Sequence, residues 1–227
     1  MRTRGIVLLL SVVSLTLFLL LSKYEDRPVM RNVDFSVTVK VQEKIDTSSR
    51  LRLAALAGNV MEGATFFASP EFTVIVTLLL TSFSLFDWKK RRWNPKAIFI
   101  PIALTLLVIL EIYGKSIVHH PSPPFSMIKN PITMFPANYV NEQFSYPSGH
   151  AARAVFMAIV SYYVLRLSAG KAGITYYGKR NRYVLQIGLF GYVVLVGISR
   201  IYLGHHWFSD VLGGWLLGTG LGFIAFL

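Results

Sequence analysis

Long apolar runs, separated by polar or basic connections, dominate the chain. A helix needs about 20 residues to cross the hydrocarbon core of a bilayer, and several runs are shorter than that. We therefore expect their helices to extend into residues that carry charge, such as Lys115, Arg153 and Asp210. The pattern predicts an all-α, polytopic membrane helix bundle with about six transmembrane spans. The six runs are Gly5–Ser22, Phe72–Phe86, Ala97–Leu110, Ala154–Leu165, Tyr183–Ile198 and Val211–Leu227.

The same pattern predicts a single membrane domain over residues 1–227. Residues 1–22 are expected to form an N-terminal anchor span. The sequence after this run, Tyr24-Glu25-Asp26, is a poor cleavage site, which favours an anchor over a removed signal peptide. Residues 23–69 are expected to form an external segment with a helix lying along the membrane surface within Val33–Met61. Residues 70–227 are expected to form the main helix bundle.

Composition strengthens the membrane interpretation. Hydrophobic residues make up 53% of the chain and charged residues 15%, against about 25% charged residues in an average soluble domain. Mean hydropathy is +0.51. The net charge of +12 does not predict nucleic-acid binding, because the basic residues cluster between apolar runs. The absence of cysteine excludes disulfides, thiolate metal sites and a cysteine nucleophile.

The basic residues also predict an orientation. Asp87–Lys96 and Arg166–Arg182 each hold five Lys or Arg, and Arg2 and Arg4 precede the first run. Short cytoplasmic connections carry an excess of Lys and Arg, so these segments are expected to lie in the cytoplasm. The connections 23–69, 114–149 and 199–210 are then expected outside. The first of these holds seven Lys or Arg, but the charge rule weakens in long connections.

Two short stretches carry residues suited to phosphoryl chemistry. Ser199-Arg200 is followed after five residues by His206 and after three more by Asp210. Residues four apart share a face on a helix, so a carboxylate at 210 can accept one imidazole N–H and leave the other nitrogen free to attack. Arg200 offers a planar fork of donors suited to phosphate.

The second stretch is Pro147-Ser148-Gly149-His150, at the start of the fourth run. Ser148 is a candidate N-cap, and the N–H groups that begin a helix form an anion site. His150 is placed to hand a proton to a leaving oxygen. Lys115, at the outer end of the third run, adds positive charge. Each residue taken alone also fits a structural role, such as a cap or a snorkelling side chain, but the set predicts a nucleophile, an acid and a cationic anion cradle.

These residues resemble the motifs of the type 2 phosphatidic acid phosphatase superfamily of membrane lipid phosphatases. Its second and third motifs, Pro-Ser-Gly-His and Ser-Arg-x5-His-x3-Asp, match in full, and the resemblance covers about Asp34 to the C-terminus. It implies six spans, a site on the outer face and a phosphohistidine intermediate formed without a divalent metal or other cofactor. The expected location is the plasma membrane of a prokaryote.

The first family motif, Lys-x6-Arg-Pro, departs from the pattern. Lys115 and Pro123 hold their places, but Ser122 stands where the family has arginine. Arg153 is a candidate replacement, because it lies one helical turn after His150; the alternative is that it only snorkels. Glu111 is expected to pair with Lys115. The adjacent His119 and His120 do not share a helical face and have no acidic neighbour in sequence, so they are expected to line a polar rim rather than to bind metal.

The sequence therefore predicts a membrane phosphatase that removes a terminal phosphate from a lipid phosphate or an isoprenyl diphosphate. His206, Asp210 and His150 are the predicted catalytic residues. The predicted substrate-binding residues are Lys115, Ser148, Gly149, Arg200 and Arg153. Two alternatives remain open: a vanadate-dependent haloperoxidase, against which the six spans argue, and a non-catalytic phospholipid-binding or carrier relative, which the missing arginine would fit. The sequence does not indicate an oligomeric state.

Overall fold

The computed structural model describes residues 2–47, 51–87, 91–129, 143–171 and 179–227. Parts of the two basic connections and of the segment from 121 to 146 lie outside these ranges. The described part contains a short antiparallel pair, β1 (Phe86–Asp87) with β2 (Arg92–Trp93), and eight α-helices. The helices are α1 (Arg2–Tyr24), α2 (Pro28–Asp46), α3 (Leu51–Phe66), α4 (Pro70–Leu85), α5 (Phe99–Ile117), α6 (Gly149–Lys171), α7 (Lys179–Tyr202) and α8 (Phe208–Ile224).

Most of each of the six apolar runs lies in a helix, so the all-α prediction is confirmed. Within the described residues, three stretches are long and apolar enough to cross a membrane: Arg4–Tyr24, Pro95–Ile117 and Arg180–Tyr202. Leu56–Phe66 and Pro70–Leu85 meet at 51° and give a fourth if they form one broken span. Helix α8 is apolar but shorter. The number of six spans therefore stays a prediction.

Helix α2 turns its polar face toward the rest of the protein. Asp34, Thr38 and Gln42, spaced four apart, are its buried residues. Gln42 Nε2 donates hydrogen bonds to the carbonyl oxygens of Tyr202, at 3.0 Å, and Met127, at 2.8 Å. Buried polar groups are stable when paired in this way. The predicted segment 33–61 is thus helical over most of its described part, and its position relative to the membrane stays a prediction.

Glycines on α8 allow close approach of two other helices. A Cβ atom at Gly214 would lie 2.4 Å from the carbonyl oxygen of Ser148, and one at Gly218 would lie 2.2 Å from that of Ala152. On another face, a Cβ at Gly220 would lie 2.6 Å from Leu15 of α1. The small residues at these positions allow the helices to pack closely. As a result, the starts of α6 and α8, which carry the two motifs, lie side by side.

We expect Gly218→Ala to destabilise the protein by about 1–3 kcal/mol, because the added methyl would meet the backbone of Ala152, which cannot move aside without separating α6 from α8. The measurement is thermal unfolding in detergent. Gly188→Ala is the matched control, since a Cβ there meets nothing within 4 Å on exposed α7. Equal unfolding temperatures for the two variants would contradict the packing argument.

Candidate active site

The two motifs meet through a backbone hydrogen bond. The Ser148 N–H, immediately before α6, donates to the Asp210 carbonyl oxygen in the first turn of α8 at 2.9 Å. Both segments are buried. Residues that are about 60 positions apart in sequence are therefore fixed against one another by the glycine-mediated contact of α6 with α8.

The loop between α7 and α8 brings His206 back over the end of α7. Its backbone N–H and that of His205 both donate to the Arg200 carbonyl oxygen, at 3.2 and 3.1 Å. The reversal passes through Gly204, whose φ of +72° lies in the left-handed region that favours glycine. A Cβ at Gly204 would also lie 2.2 Å from the Met127 carbonyl oxygen. The residues from Arg200 to His206 thus form a turn that places the backbone of His206 beside the end of α7.

His206 and Asp210 are paired, but not in the way that their spacing suggested. Helix α8 begins at Phe208, so His206 precedes the helix and the expectation of a shared helical face was wrong. The contact forms because the Asp210 carboxylate faces back toward the chain before the helix. Its Oδ2 accepts the Trp207 backbone N–H at 2.8 Å and lies 3.4 Å from His206 Nδ1. Capping the helix start holds the carboxylate in place, and the pair with Asp210 uses Nδ1 of His206 and not Nε2.

The surroundings of His206 favour its neutral form. Burial is the largest cause and lowers the pKa of the imidazole; Asp210 raises it, and the positive charges of Arg200 and Lys115 lower it again. The resulting pKa lies below the usual value of 6.5. His206 therefore carries a free lone pair at neutral pH, as a nucleophile requires.

The first turn of α6 contributes a hydroxyl and a second imidazole. The predicted side-chain cap by Ser148 is absent: its Oγ is buried and has no hydrogen-bond partner among the described residues. The helix start is secured instead by the Ala152 N–H, which donates to the Ser148 carbonyl at 3.0 Å. His150 is buried and lies within electrostatic range of His206 and Arg200. The two predicted catalytic imidazoles therefore share one buried region.

Glu111 holds two of the predicted cationic residues. Its Oε1 lies 3.7 Å from Lys115 Nζ, which confirms the predicted pair one helical turn apart on α5. Its Oε2 lies 2.6 Å from an Arg153 guanidinium nitrogen. The carboxylate also rests against Gly149, where a Cβ would lie 1.8 Å from Oε1. A glycine at 149 is thus required by the close approach of Glu111 to the start of α6.

Arg153 has protein partners rather than an open position. Besides its pair with Glu111, its Nε donates to the Ala68 carbonyl at 3.1 Å, in the break between α3 and α4. Arg153 joins α5, α6 and this break, and snorkelling is excluded because the residue is buried. A direct contact of Arg153 with phosphate stays a prediction. The ion pair with Glu111 gives it a positioning role in addition.

The expectation that His120 lines a polar rim was wrong, because the structure buries this residue against Asp210. Its Nδ1 donates to Asp210 Oδ1 at 3.0 Å and lies 2.6 Å from Glu25 Oε1. Its Nε2 lies 3.9 Å from Asp34 Oδ2. These acids are distant in sequence, so no local spacing could have linked them to His120. In the ranges that the structure covers, no group of three or more His, Cys, Asp or Glu is arranged to hold a metal ion.

Comparison with known families assigns the chain to a superfamily. Residues 96–227 match the model of the PAP2 superfamily, and the chain belongs to this superfamily. The match begins just before α5 and contains Lys115, both full motifs and Ser122. The segments that bring Glu25 and Asp34 to the site precede the matched region.

Two curated proteins are similar over part of the chain. Phosphatidylglycerophosphatase B of Bacillus subtilis is 38% identical over 84 residues, which are 36% of this chain and 37% of that protein. Undecaprenyl-diphosphatase of Sulfolobus acidocaldarius is 33% identical over 99 residues, which are 40% of each chain. Both matches therefore span well under half the length of these relatives.

Two solved structures share the fold. A crystal structure of a transmembrane PAP2-type phosphatidylglycerolphosphate phosphatase from Bacillus subtilis matches with a TM-score of 0.70 at 21% identity, over 95% of this chain and 93% of that one. Aquifex aeolicus LpxE matches with a TM-score of 0.54 at 22% identity, over 85% of this chain and 96% of that one. The arrangement of helices described above is thus that of PAP2-type membrane proteins.

We expect Arg153→Met to destabilise the protein by about 3–5 kcal/mol, because it leaves the buried Glu111 carboxylate with only the more distant Lys115. Glu111→Gln combined with Arg153→Met should recover most of that loss, since no buried charge then remains uncompensated. Unfolding in detergent measures both. If the double variant is as unstable as the single one, the ion pair is not what holds Arg153 in place.

Proposed function

We propose that the protein is a membrane phosphatase that hydrolyses a terminal phosphate from a lipid phosphate or an isoprenyl diphosphate. The observation that carries this proposal is the buried His206–Asp210 pair, with His150 and Arg200 beside it. A nucleophile oriented by a carboxylate, a second imidazole and a guanidinium are the groups that phosphoryl transfer to histidine requires.

In the proposed reaction, His206 Nε2 attacks phosphorus and forms an N–P bond while the bond from phosphorus to the leaving oxygen breaks. His150 gives its proton to that oxygen. The product alcohol or monophosphate leaves, and phosphohistidine remains. Water then attacks phosphorus, His150 accepts a proton from the water, and inorganic phosphate departs with the N–P bond broken. His206 and His150 are both restored.

The proposed phosphate cradle consists of Lys115, Arg200, Ser148 and the backbone at Gly149. The buried Ser148 hydroxyl supports this role, since it makes no hydrogen bond to the described protein and can donate to a phosphoryl oxygen. Arg153 is proposed to add positive charge to the cradle while it is paired with Glu111. A direct contact between Arg153 and phosphate is part of this proposal. No residue at 122 supplies the charge of the missing arginine, because Ser122 is neutral.

A lipid substrate is favoured by the setting of the site. Helices α1, α5 and α7 expose long rows of large apolar side chains, which suit a bilayer. The curated relatives are named for a phosphatidylglycerol phosphate and an undecaprenyl diphosphate. We propose the plasma membrane of a prokaryote as the location, with the site facing outward. The second candidate function is a non-catalytic lipid-binding protein, which the neutral Ser122 favours.

The proposal is tested by phosphate release from purified protein in detergent, with phosphatidate, phosphatidylglycerol phosphate and undecaprenyl diphosphate as substrates. We expect turnover of at least one of them in the presence of EDTA, because cationic side chains are proposed to neutralise the phosphate. The rate should fall at acidic pH, below 6.5, as His206 becomes protonated. Binding without phosphate release would support the lipid-binding alternative. Activity that EDTA removes and zinc or magnesium restores would contradict the metal-independent mechanism.

His206→Ala identifies the nucleophile in the same assay. We expect His206→Ala to lower the turnover rate by several powers of ten and to leave the unfolding temperature close to that of the wild type. His205→Gln is the matched control: this neighbour is half-buried, and its ring nitrogens make no hydrogen bond within the described chain. It should keep turnover within about tenfold. Retained activity in His206→Ala would assign the nucleophile elsewhere.

The proposed orientation is tested with a single cysteine in this cysteine-free chain. Phe125 is 72% exposed and lies in the connection that also carries His120. We expect Phe125→Cys to react with an impermeant thiol reagent in intact cells, because the basic connections are predicted on the other side. Trp93→Cys is the matched control. Trp93 is 71% exposed and lies within the basic connection Asp87–Lys96, so a cysteine there should react only after permeabilisation. The reverse pattern would invert the topology.

A further inference from the structure

His120 lies at the centre of a buried acidic cluster that reaches the nucleophile. The residue is 3% exposed, and the side chains of Glu25 and Asp210 are fully buried. Its Nδ1 lies 3.0 Å from Asp210 Oδ1 and 2.6 Å from Glu25 Oε1. Asp210 continues the connection through Oδ2 to His206 Nδ1, at 3.4 Å. Contacts therefore run without a gap from Glu25 through His120 and Asp210 to His206.

The backbone around His120 is fixed from two sides. Its carbonyl oxygen accepts the Ser145 N–H at 3.0 Å, and the carbonyl of the next residue, Pro121, accepts the indole N–H of Trp207 at 2.8 Å. Glu25 is held in the short turn that joins α1 to α2. The imidazole thus contacts Asp210 at Oδ1, whereas His206 contacts Oδ2, and its backbone is held by these hydrogen bonds.

We propose that Glu25 and His120 are positioning residues that act through Asp210 to orient the nucleophile His206 and to set its protonation. This inference rests on the proposed function for its effect on rate, and on the contacts above for its effect on His206. It assigns a task to His120, which occupies one of the unspecified positions of the first family motif, and to the α1–α2 turn, which carries none of the family motifs.

The geometry explains both parts of the task. Asp210 accepts from His120 with Oδ1 and from the Trp207 backbone with Oδ2, so its carboxylate cannot turn away from His206. A protonated His120 also offsets much of the Asp210 charge that faces His206. Less facing negative charge makes the His206 imidazole easier to deprotonate and so available at lower pH.

The charge on His120 follows from its neighbours. Burial alone lowers the pKa of an imidazole, but hydrogen bonds to Asp210 and Glu25 and their negative charges raise the pKa of His120 to about 10. Asp34 adds a third carboxylate at 3.9 Å. His120 is therefore a cation throughout the neutral range. The charged or titratable groups that act on the His120 and His206 pair are Glu25, Asp34, Lys115, His150, Arg200, His205 and Asp210.

The test measures the pKa of His206 by NMR titration of imidazole-labelled protein in detergent, which is feasible because the chain has five histidines. His120→Gln keeps a donor for Asp210 but removes the cation, so the His206 pKa should rise by roughly one unit. Glu25→Gln removes a negative charge and keeps His120, so the His206 pKa should fall by a similar amount. The acidic limb of kcat/KM should move with it in each variant.

His119→Gln is the matched control. It is the adjacent residue, it is exposed, and its ring packs on Phe144 rather than on the acidic cluster. Whatever its effect on rate, the His206 pKa should stay in place. Opposite shifts in the two test variants support the proposal, because a merely structural loss would not change sign with the charge removed.

If the His206 pKa does not change, or if it shifts in the same direction in His120→Gln and Glu25→Gln, the proposed role of Glu25 and His120 is wrong. If His120→Gln does not fold, Glu25→Gln decides alone: a fall supports the proposal, and no change or a rise refutes it. If the wild type releases no phosphate from any lipid, the proposed function fails, but the NMR titration still tests whether Glu25 and His120 act on His206.

Discussion

The Asp210 carboxylate is contacted by three groups from two parts of the chain: the loop before α8 and the connection after α5. Its Oδ2 accepts the Trp207 backbone N–H and so caps the start of α8. The same oxygen lies near His206, in the loop before α8, and Oδ1 accepts from His120, in the connection after α5. A buried carboxylate is stable only when its lone pairs are satisfied in this way. The position of the proposed nucleophile depends on this one group, because the turn at Gly204 alone would leave the imidazole free to rotate.

Two further constraints bring the remaining groups to that point. Glycines on α8 allow the backbone of α6 to approach within a distance that any side chain would prevent, and this sets Ser148 beside Asp210. The buried pair of Arg153 with Glu111 then ties α6 to α5, where Lys115 lies. Packing determines the distance between helices, and charge pairing determines their rotation. The proposed site needs both, because its groups come from α5, α6, α7 and α8 and must lie close together.

The cluster around His120 shows that the N-terminal helices supply residues to the candidate site. Helix α2 buries Asp34, Thr38 and Gln42 instead of an apolar stripe, and Asp34 accepts hydrogen bonds from the Ser209 N–H and hydroxyl at 2.8 and 2.7 Å. The α1–α2 turn delivers Glu25 to His120. These elements precede the region that matches the family model, yet they complete the surroundings of its third motif.

The sequence by itself determined the helices and the identity of the chemical groups. Apolar periodicity is a local property, so the six runs predicted α1 and α4–α8, and the motif spacings named His206, Arg200, His150 and Lys115 as candidate site residues. The tertiary structure alone decided which side chains share a contact. His206 meets Asp210 from a loop rather than along a helix, Ser148 keeps its hydroxyl off the helix end, Arg153 pairs with Glu111, and His120 joins acids from α1–α2 and α8. These contacts join residues tens of positions apart, and their geometry follows from how closely whole helices pack, which no local spacing encodes.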